Sequence, residues 1–229
     1  MARAYDDPCG LARALNLVGD RWALLIVREL LLGPKRFTDL RRGLPGASQS
    51  MLTARLAELE EAGVVRRRRL GPPAGVRAYE LTEWGRDLEP ALLGLARWGS
   101  RGPLTSSAQL SVDALALAMK TTFDPAAARD FAVRCQLLLD GDSLLVTVED
   151  GRVDVVRADA ADPDLVIRAG AGTFRSLIFG GVPLHAADVV VRGDGEVAAR
   201  LLRLFRRPTP ADGPQRRSEC FQLPFRWRW

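Results

Sequence analysis

Two short helical patterns meet at a tight turn and run straight into two strand patterns between Phe37 and Leu81, an order that few small folds accommodate. The first pattern carries Phe37, Leu40 and Leu44 and closes at Pro45-Gly46. The second opens at Ser48, a natural N-cap, places Leu52, Leu56 and Leu59 on one stripe, and ends at Ala62-Gly63. Val64 to Leu70 and Val76 to Leu81 then alternate around Gly71-Pro72-Pro73-Ala74-Gly75, a turn-rich tip that makes them a hairpin. Upstream, Arg21 to Leu32 is apolar almost all round, as in the central helix of a small domain, with Asp20 as its expected cap and Gly33-Pro34 as its end. Leu11, Leu15 and Val18 give a helix from Pro8 to Val18 with one buried face. A buried helix, two short helices and a hairpin in this order read as a helix-turn-helix with a wing.

Charge sharpens that reading once it is resolved along the chain. The net charge is +5, but residues 1–103 hold 17 basic and 12 acidic side chains, residues 104–205 hold 10 and 14, and residues 206–229 hold 6 and 2. A basic front beside an acidic middle fits an anionic polymer partner for the first part. The first wing strand contains Arg66 to Arg69, and period-2 alternation sends Arg66/Arg68 and Arg67/Arg69 to opposite faces. One pair is expected to clamp phosphates and the other to meet acids such as Glu58, Glu60 or Glu61. Alone, such a run fits a solvated surface equally well; beside a helix-turn-helix it points to DNA. Subtracting the buried leucines from the second helix leaves Gln49, Ser50, Thr53 and Ala54 facing outward near its N-terminal end, where side chains read base edges and phosphates. The candidate DNA-binding set is Arg36, Ser48, Gln49, Ser50, Thr53, Arg55, Arg67, Arg69 and Arg77.

After the wing, Thr82 is placed to cap a helix whose Trp84, Leu88, Ala91, Leu95 and Trp98 repeat at 4, 3, 4, 3 spacing, a seam of the coiled-coil type, with a kink expected near Glu89 because of Pro90. Such a seam wants a partner, and a helix-turn-helix usually reads a two-fold operator. Leu11, Leu15, Trp84, Leu88, Leu95 and Trp98 are therefore expected to build a homodimer.

The segments Gly19-Asp20-Arg21-Trp22, Gly33-Pro34-Lys35-Arg36-Phe37-Thr38-Asp39-Leu40, Leu44-Pro45-Gly46, Ser48-Gln49-Ser50-Met51-Leu52 and Tyr79-Glu80-Leu81-Thr82 stand in an order and spacing that resemble the HxlR-type winged-helix transcriptional regulators, MarR-like in architecture, over residues 8–99. The resemblance implies a dimeric DNA-binding regulator. It also implies a thiol sensor at Cys9, although Gly10 replaces the proline that often follows that cysteine. A thiol at a helix N-terminus has its own physical route to reactivity, through a lowered pKa, and its own alternative, as a small buried residue.

Residues 100–110 are rich in Gly, Pro, Ser and Thr, so 104–110 read as a linker, and beyond it the organisation changes. Val112, Leu115 and Met119 mark a helix and Asp124-Pro125 the start of a short second one. Period-2 runs over Phe131 to Leu139, Leu144 to Val148 and Val153 to Val155 are separated by Asp140-Gly141 and Asp150-Gly151. A strand at Leu165 to Ala169, a helix at Thr173 to Phe179, a strand at Val189 to Val191 and a helix with Val197, Leu201 and Leu204 complete an α+β unit over residues 111–205 with an antiparallel or mixed sheet. The order Asp150-Gly151-Arg152-Val153, Asp162-Pro163-Asp164-Leu165, Phe179-Gly180-Gly181 and Gly193-Asp194 resembles the sterol-carrier-protein-like fold. That resemblance implies an apolar site for a hydrophobic small molecule, an effector here, with Phe123, Phe131, Phe174, Leu177, Ile178 and Phe179 as candidate liners; apolar residues at these spacings also serve as plain core. In the basic tail, residues 206–229, Arg216, Arg217, Arg226 and Arg228 mix with Phe221, Phe225, Trp227 and Trp229, a composition suited to DNA, a membrane surface or protein. Because exposed terminal Trp is costly, docking on the partner subunit or over the second domain's apolar site is expected.

Enzyme motifs are missing: there is no GxGxxG, P-loop, GxSxG or HExxH, and His185 stands alone. No catalysis, cofactor or metal is expected. Cys9, Cys135 and Cys220 lack disulfide or metal spacing, and no run approaches the roughly 18 apolar residues of a membrane span, so a cytoplasmic protein is expected. A lipid or metabolite carrier whose basic domain docks on a partner is the alternative function.

Overall fold

The computed structural model describes residues 4–71, 75–103, 106 and 108–211. The first domain opens with α1 (Gly10–Val18), where the Cys9 Sγ accepts the Ala12 N–H at 3.4 Å. Its expected buried face is only partly used: Val18 is buried, whereas Leu11 and Leu15 are 69% and 42% exposed. Helix α2 (Ala23–Leu30) starts later than expected. Asp20 does not cap it. Trp22 precedes it in the left-handed region at φ 81°, and the Asp20 carboxylate turns instead to Arg55. Helices α3 (Phe37–Gly43) and α4 (Gln49–Glu61) follow, and the Ser48 hydroxyl accepts the Met51 N–H at 3.3 Å as its position foretells. Ile26, Val27 and Leu30 of α2 pack on Leu40, Leu52, Leu56 and Leu59.

Strands β1 (Val65–Leu70) and β2 (Val76–Leu81) pair antiparallel from Val65 opposite Leu81 to Leu70 opposite Val76. The Lys35 and Tyr79 backbones exchange two hydrogen bonds, at 2.9 and 2.8 Å, which adds the α2–α3 connection to the edge of the wing. In place of one kinked helix there are two, α5 (Glu83–Arg86), capped by Thr82, and α6 (Glu89–Gly99). Pro90 sits in the first turn of α6, where its missing N–H costs nothing, so the chain breaks ahead of it at Asp87-Leu88. Leu92, outside the expected seam, is the α6 residue that the core buries.

The second domain begins with α7 (Val112–Thr122), capped by Ser111. Turns replace the helix expected after Asp124: its carboxylate accepts the Ala126 and Ala127 N–H groups at 3.0 and 3.2 Å, but no helix propagates. Strands β3 (Val133–Leu139), β4 (Asp142–Glu149), β5 (Arg152–Val156), β6 (Leu165–Ala169) and β7 (Val189–Arg192) form a mixed sheet in the order β5-β4-β3-β6-β7, with β3 and β6 parallel. The hairpins turn at Asp140-Gly141 and Asp150-Gly151 with φ positive at all four residues, the conformation Asp-Gly favours. Helices α8 (Ala171–Phe179) and α9 (Gly195–Arg203), the latter capped by Asp194, complete the unit. Gln136 breaks the outward alternation of β3. It is 7% exposed, donating to the Leu144 and Ala158 carbonyls and accepting the Ala160 N–H at 2.7 Å, which pins the chain after β5 to the sheet.

The two halves share a helix. Leu115 and Met119 of α7 belong to the second core, Leu117 of the same helix belongs to the first, and Leu32 packs against the second. Among the described residues no helix is long and apolar enough to cross a membrane.

Candidate nucleic-acid interface

Helix α4 presents its N-terminal face to solvent because its opposite side is committed to the core. Ser48, Gln49, Ser50 and Thr53 are exposed, while Leu52, Leu56 and Leu59 are at most 1% exposed. The side chains differ in what they have free. Ser48 is occupied by its cap and lies 3.2 Å from the Ser50 hydroxyl, and Thr53 donates to the Gln49 carbonyl at 2.9 Å. The Gln49 amide carries the donor and acceptor pair suited to a base edge. Arg36 is exposed at the start of α3, where the Asp39 carboxylate accepts its backbone N–H at 3.3 Å.

Arg55 is a correction to the DNA-facing set. Its guanidinium is clamped between Asp20 and Glu58, its side chain is 18% exposed, and its Nε is buried without a hydrogen-bond partner. It braces α4 against the start of α2. Asp20 lies 35 residues away in sequence, a pairing that no local pattern reveals.

The wing arginines divide by face as alternation requires; of the expected acids Glu60 meets Arg67, and Glu80, outside that set, meets Arg66 and Arg68. Arg66 donates to one Glu80 oxygen at 2.7 Å and Arg68 to the other at 2.9 Å. The Arg68 hydrogen bond, with Arg66 beside it, holds the Glu80 carboxyl below the usual glutamate range. Glu80 was within reach of sequence reasoning, since the hairpin register sets it opposite Arg66. On the other face Arg67 pairs with Glu60 at 3.0 Å, tying wing to α4, and its guanidinium lies 6.0 Å from the Tyr79 ring centre. Arg69 and Arg77 stand directly opposite each other, both exposed, and among the described residues neither has a carboxylate within 4.0 Å. The tip residues 72–74 lie outside the described residues.

Of the expected dimer residues, Leu11, Leu15, Trp84, Leu95 and Trp98 are exposed, Trp98 to 74%, and Leu88 is half-buried against the first core. Cys9 is exposed and accepts a hydrogen bond at the α1 N-terminus. Cys135 is buried in the sheet, and burial pushes its thiol up to about 12, which leaves it inert. Cys220, Arg216, Arg217, Arg226, Arg228 and the tail aromatics lie outside the described residues.

The second domain carries a groove of about 910 Å³ between α8, β7 and α9. Of the expected liners, Leu177, Ile178 and Phe179 wall it, with Arg203, Arg206 and Arg207 at its rim. The other three do not reach it. Phe131 and Phe174 are core, 7% and 2% exposed, and Phe123 packs tilted on Phe205 with ring centres 6.1 Å apart. Period-2 and helical spacing report burial, and burial alone does not separate core from cavity wall. His185 also borders the groove.

A family model for the HxlR-like helix-turn-helix matches residues 17–103. An HTH-type transcriptional regulator of Bacillus subtilis (strain 168), YdeP, is 37% identical over 95 residues, which are 42% of this chain and 74% of that protein. Another, Rv3095 of Mycobacterium tuberculosis (strain ATCC 25618 / H37Rv), is 44% identical over 89 residues, 39% of this chain and 56% of that protein. Among solved structures, the redox regulator HypR in its oxidized form is 35% identical, with 42% of this chain and 100% of that chain covered and a TM-score of 0.40.

Proposed function

The chain belongs to the HxlR-like helix-turn-helix family, and from that premise we propose that it binds operator DNA as a homodimer and regulates transcription under the control of a hydrophobic effector held by its second domain. The observation that carries the DNA reading is the pairing of an exposed polar α4 N-terminus with a wing whose Arg69 and Arg77 have no acid partner among the described residues. Gln49 reads a base edge, the α4 N-terminus and Ser50 take a phosphate, and Arg69 and Arg77 take phosphates beyond the groove. The exposed Leu11, Leu15, Trp84, Leu95 and Trp98 are large apolar side chains that a second copy would cover, and a two-fold pair suits half-sites one helical turn apart. In the second domain, which resembles a sterol-carrier-like unit, the groove walled by Leu177, Ile178 and Phe179 receives the effector.

The test is retardation of a duplex carrying the region upstream of the protein's own gene, repeated across salt concentrations. Affinity is expected to fall steeply with salt, and Arg69→Ala and Arg77→Ala each to lower the log–log slope by about one unit. No retarded band, or an affinity indifferent to salt, removes the proposal. The exposed thiol of Cys9 supports a second trigger. Under this reading diamide changes operator binding by the wild type and leaves Cys9→Ser unaffected; an equal response of both rejects it.

A further inference from the structure

A buried ion network joins the two domains at the segment that leads into α3. Glu29 of α2 is fully buried: one of its oxygens accepts from Arg28 at 2.8 Å and from the Ser111 hydroxyl at 2.6 Å, the other from the Lys35 ammonium at 3.0 Å. Lys35 also donates to Asp113, in the first turn of α7, which is 3% exposed. Arg157 completes the chain from the sheet side, 3.2 Å from Asp113 and paired with Asp142. Lys35 is engaged in two directions, because its backbone is the one bonded to Tyr79 of the wing. The last residue of α3 is close too: a Cβ at Gly43 would fall 2.1 Å from the Glu29 carboxylate, so a side chain there would displace that carboxylate within the network. Burial pushes the Asp113 carboxyl up against the pull of Lys35, whereas Lys35, Arg28 and Ser111 together hold Glu29 down despite its own burial.

We propose that the second domain governs the DNA-reading elements through Lys35: Asp113 and Ser111 of α7 fix the Lys35–Glu29 pair, which positions the wing through Tyr79 and α3 through Gly43. A buried ion pair tolerates few intermediate geometries, because drawing one partner away strands a charge in an apolar setting. A small displacement of α7 is therefore transmitted as a discrete change at the wing and α3 rather than absorbed. Such a displacement has a source, since α8, which walls the groove, packs on α7. The link from groove to α7 rests on the effector reading above; the grip of α7 on Lys35 does not.

Hydrogen exchange on the full-length protein tests the grip without DNA or ligand. Asp113→Asn keeps the size of the side chain and removes its charge. It is expected to speed exchange of the Tyr79 amide and of the α3 amides about tenfold, the scale of one charge-assisted hydrogen bond. Ser111→Gly preserves most of the α7 cap while withdrawing the hydroxyl from Glu29, and is expected to act in the same direction if the first variant does not fold. Retardation of the upstream duplex by the same variants should shift by about fivefold or more. Exchange confined to α7, with Tyr79 and α3 unchanged in whichever of the two variants folds, overturns the proposal. Failure of the wild type to bind DNA would remove the regulatory function while leaving the exchange result to decide the grip.

Discussion

Arg69 and Arg77 set two like charges directly across a hairpin, an arrangement that costs folding free energy and that the fold does not require. Arg77→Ala is accordingly expected to leave the melting temperature unchanged or slightly raised while weakening DNA binding, a separation that thermal melts and retardation assays measure together. Glu80→Gln should do the reverse. It removes the charge that the two guanidiniums share and one of the two acceptor oxygens, and should cost about 1 kcal/mol, since both arginines are more than half exposed. Glu80 and Glu29 have folded-state pKa values below the ordinary one, so their stabilisation is present above about pH 4.5 and is lost as pH falls through the lowered values. Asp113 is raised and works in the opposite sense, favouring the folded state at low pH and losing that contribution as pH rises through its folded value. Chemical denaturation at pH 3 to 7 should show the wild type weakening on acidification and Glu80→Gln weakening less. At this scale the outward face of α4 is legible in the sequence. The fate of Arg55 is not, because its partner Asp20 arrives from the connection between α1 and α2, 35 residues away.

The elements are legible where their determinants are local. The caps at Ser48 and Thr82 and the Asp-Gly hairpins act within three or four residues, and spacing alone finds them. Which face of α1 and α6 meets the core is decided by distant packing, so the regular seam of Leu95 and Trp98 points to solvent while Leu92 points inward. That outward seam gives the element-scale prediction: Trp98→Ala, at a position 74% exposed, should change protomer stability by no more than about 0.5 kcal/mol yet shift sedimentation toward the monomer. Gly85→Ala should destabilise instead. A Cβ there would lie 2.1 Å from the Val64 carbonyl oxygen, and relieving the clash by moving α5 off the wing should cost about 1–3 kcal/mol.

Across the whole molecule, α7 serves both cores, which the shift in charge and composition near residue 104 does not disclose. Leu117→Ala, in a helix of the second domain, should therefore lower the stability of the first by roughly 2 kcal/mol, read from exchange of the α2 and α4 amides. The wing matters at this scale for a kinetic reason. Glu80 offsets one of the two charges on its face, whereas the opposite face sets Arg67, Arg69 and Arg77 against Glu60 alone, so the hairpin carries more positive charge on that side. A duplex exerts a torque on such an object from roughly a Debye length away, about 10 Å at 0.1 M salt, before any atoms touch. Encounters in the wrong rotational sense are turned rather than wasted, and the same asymmetry sets an association rate that low salt should raise.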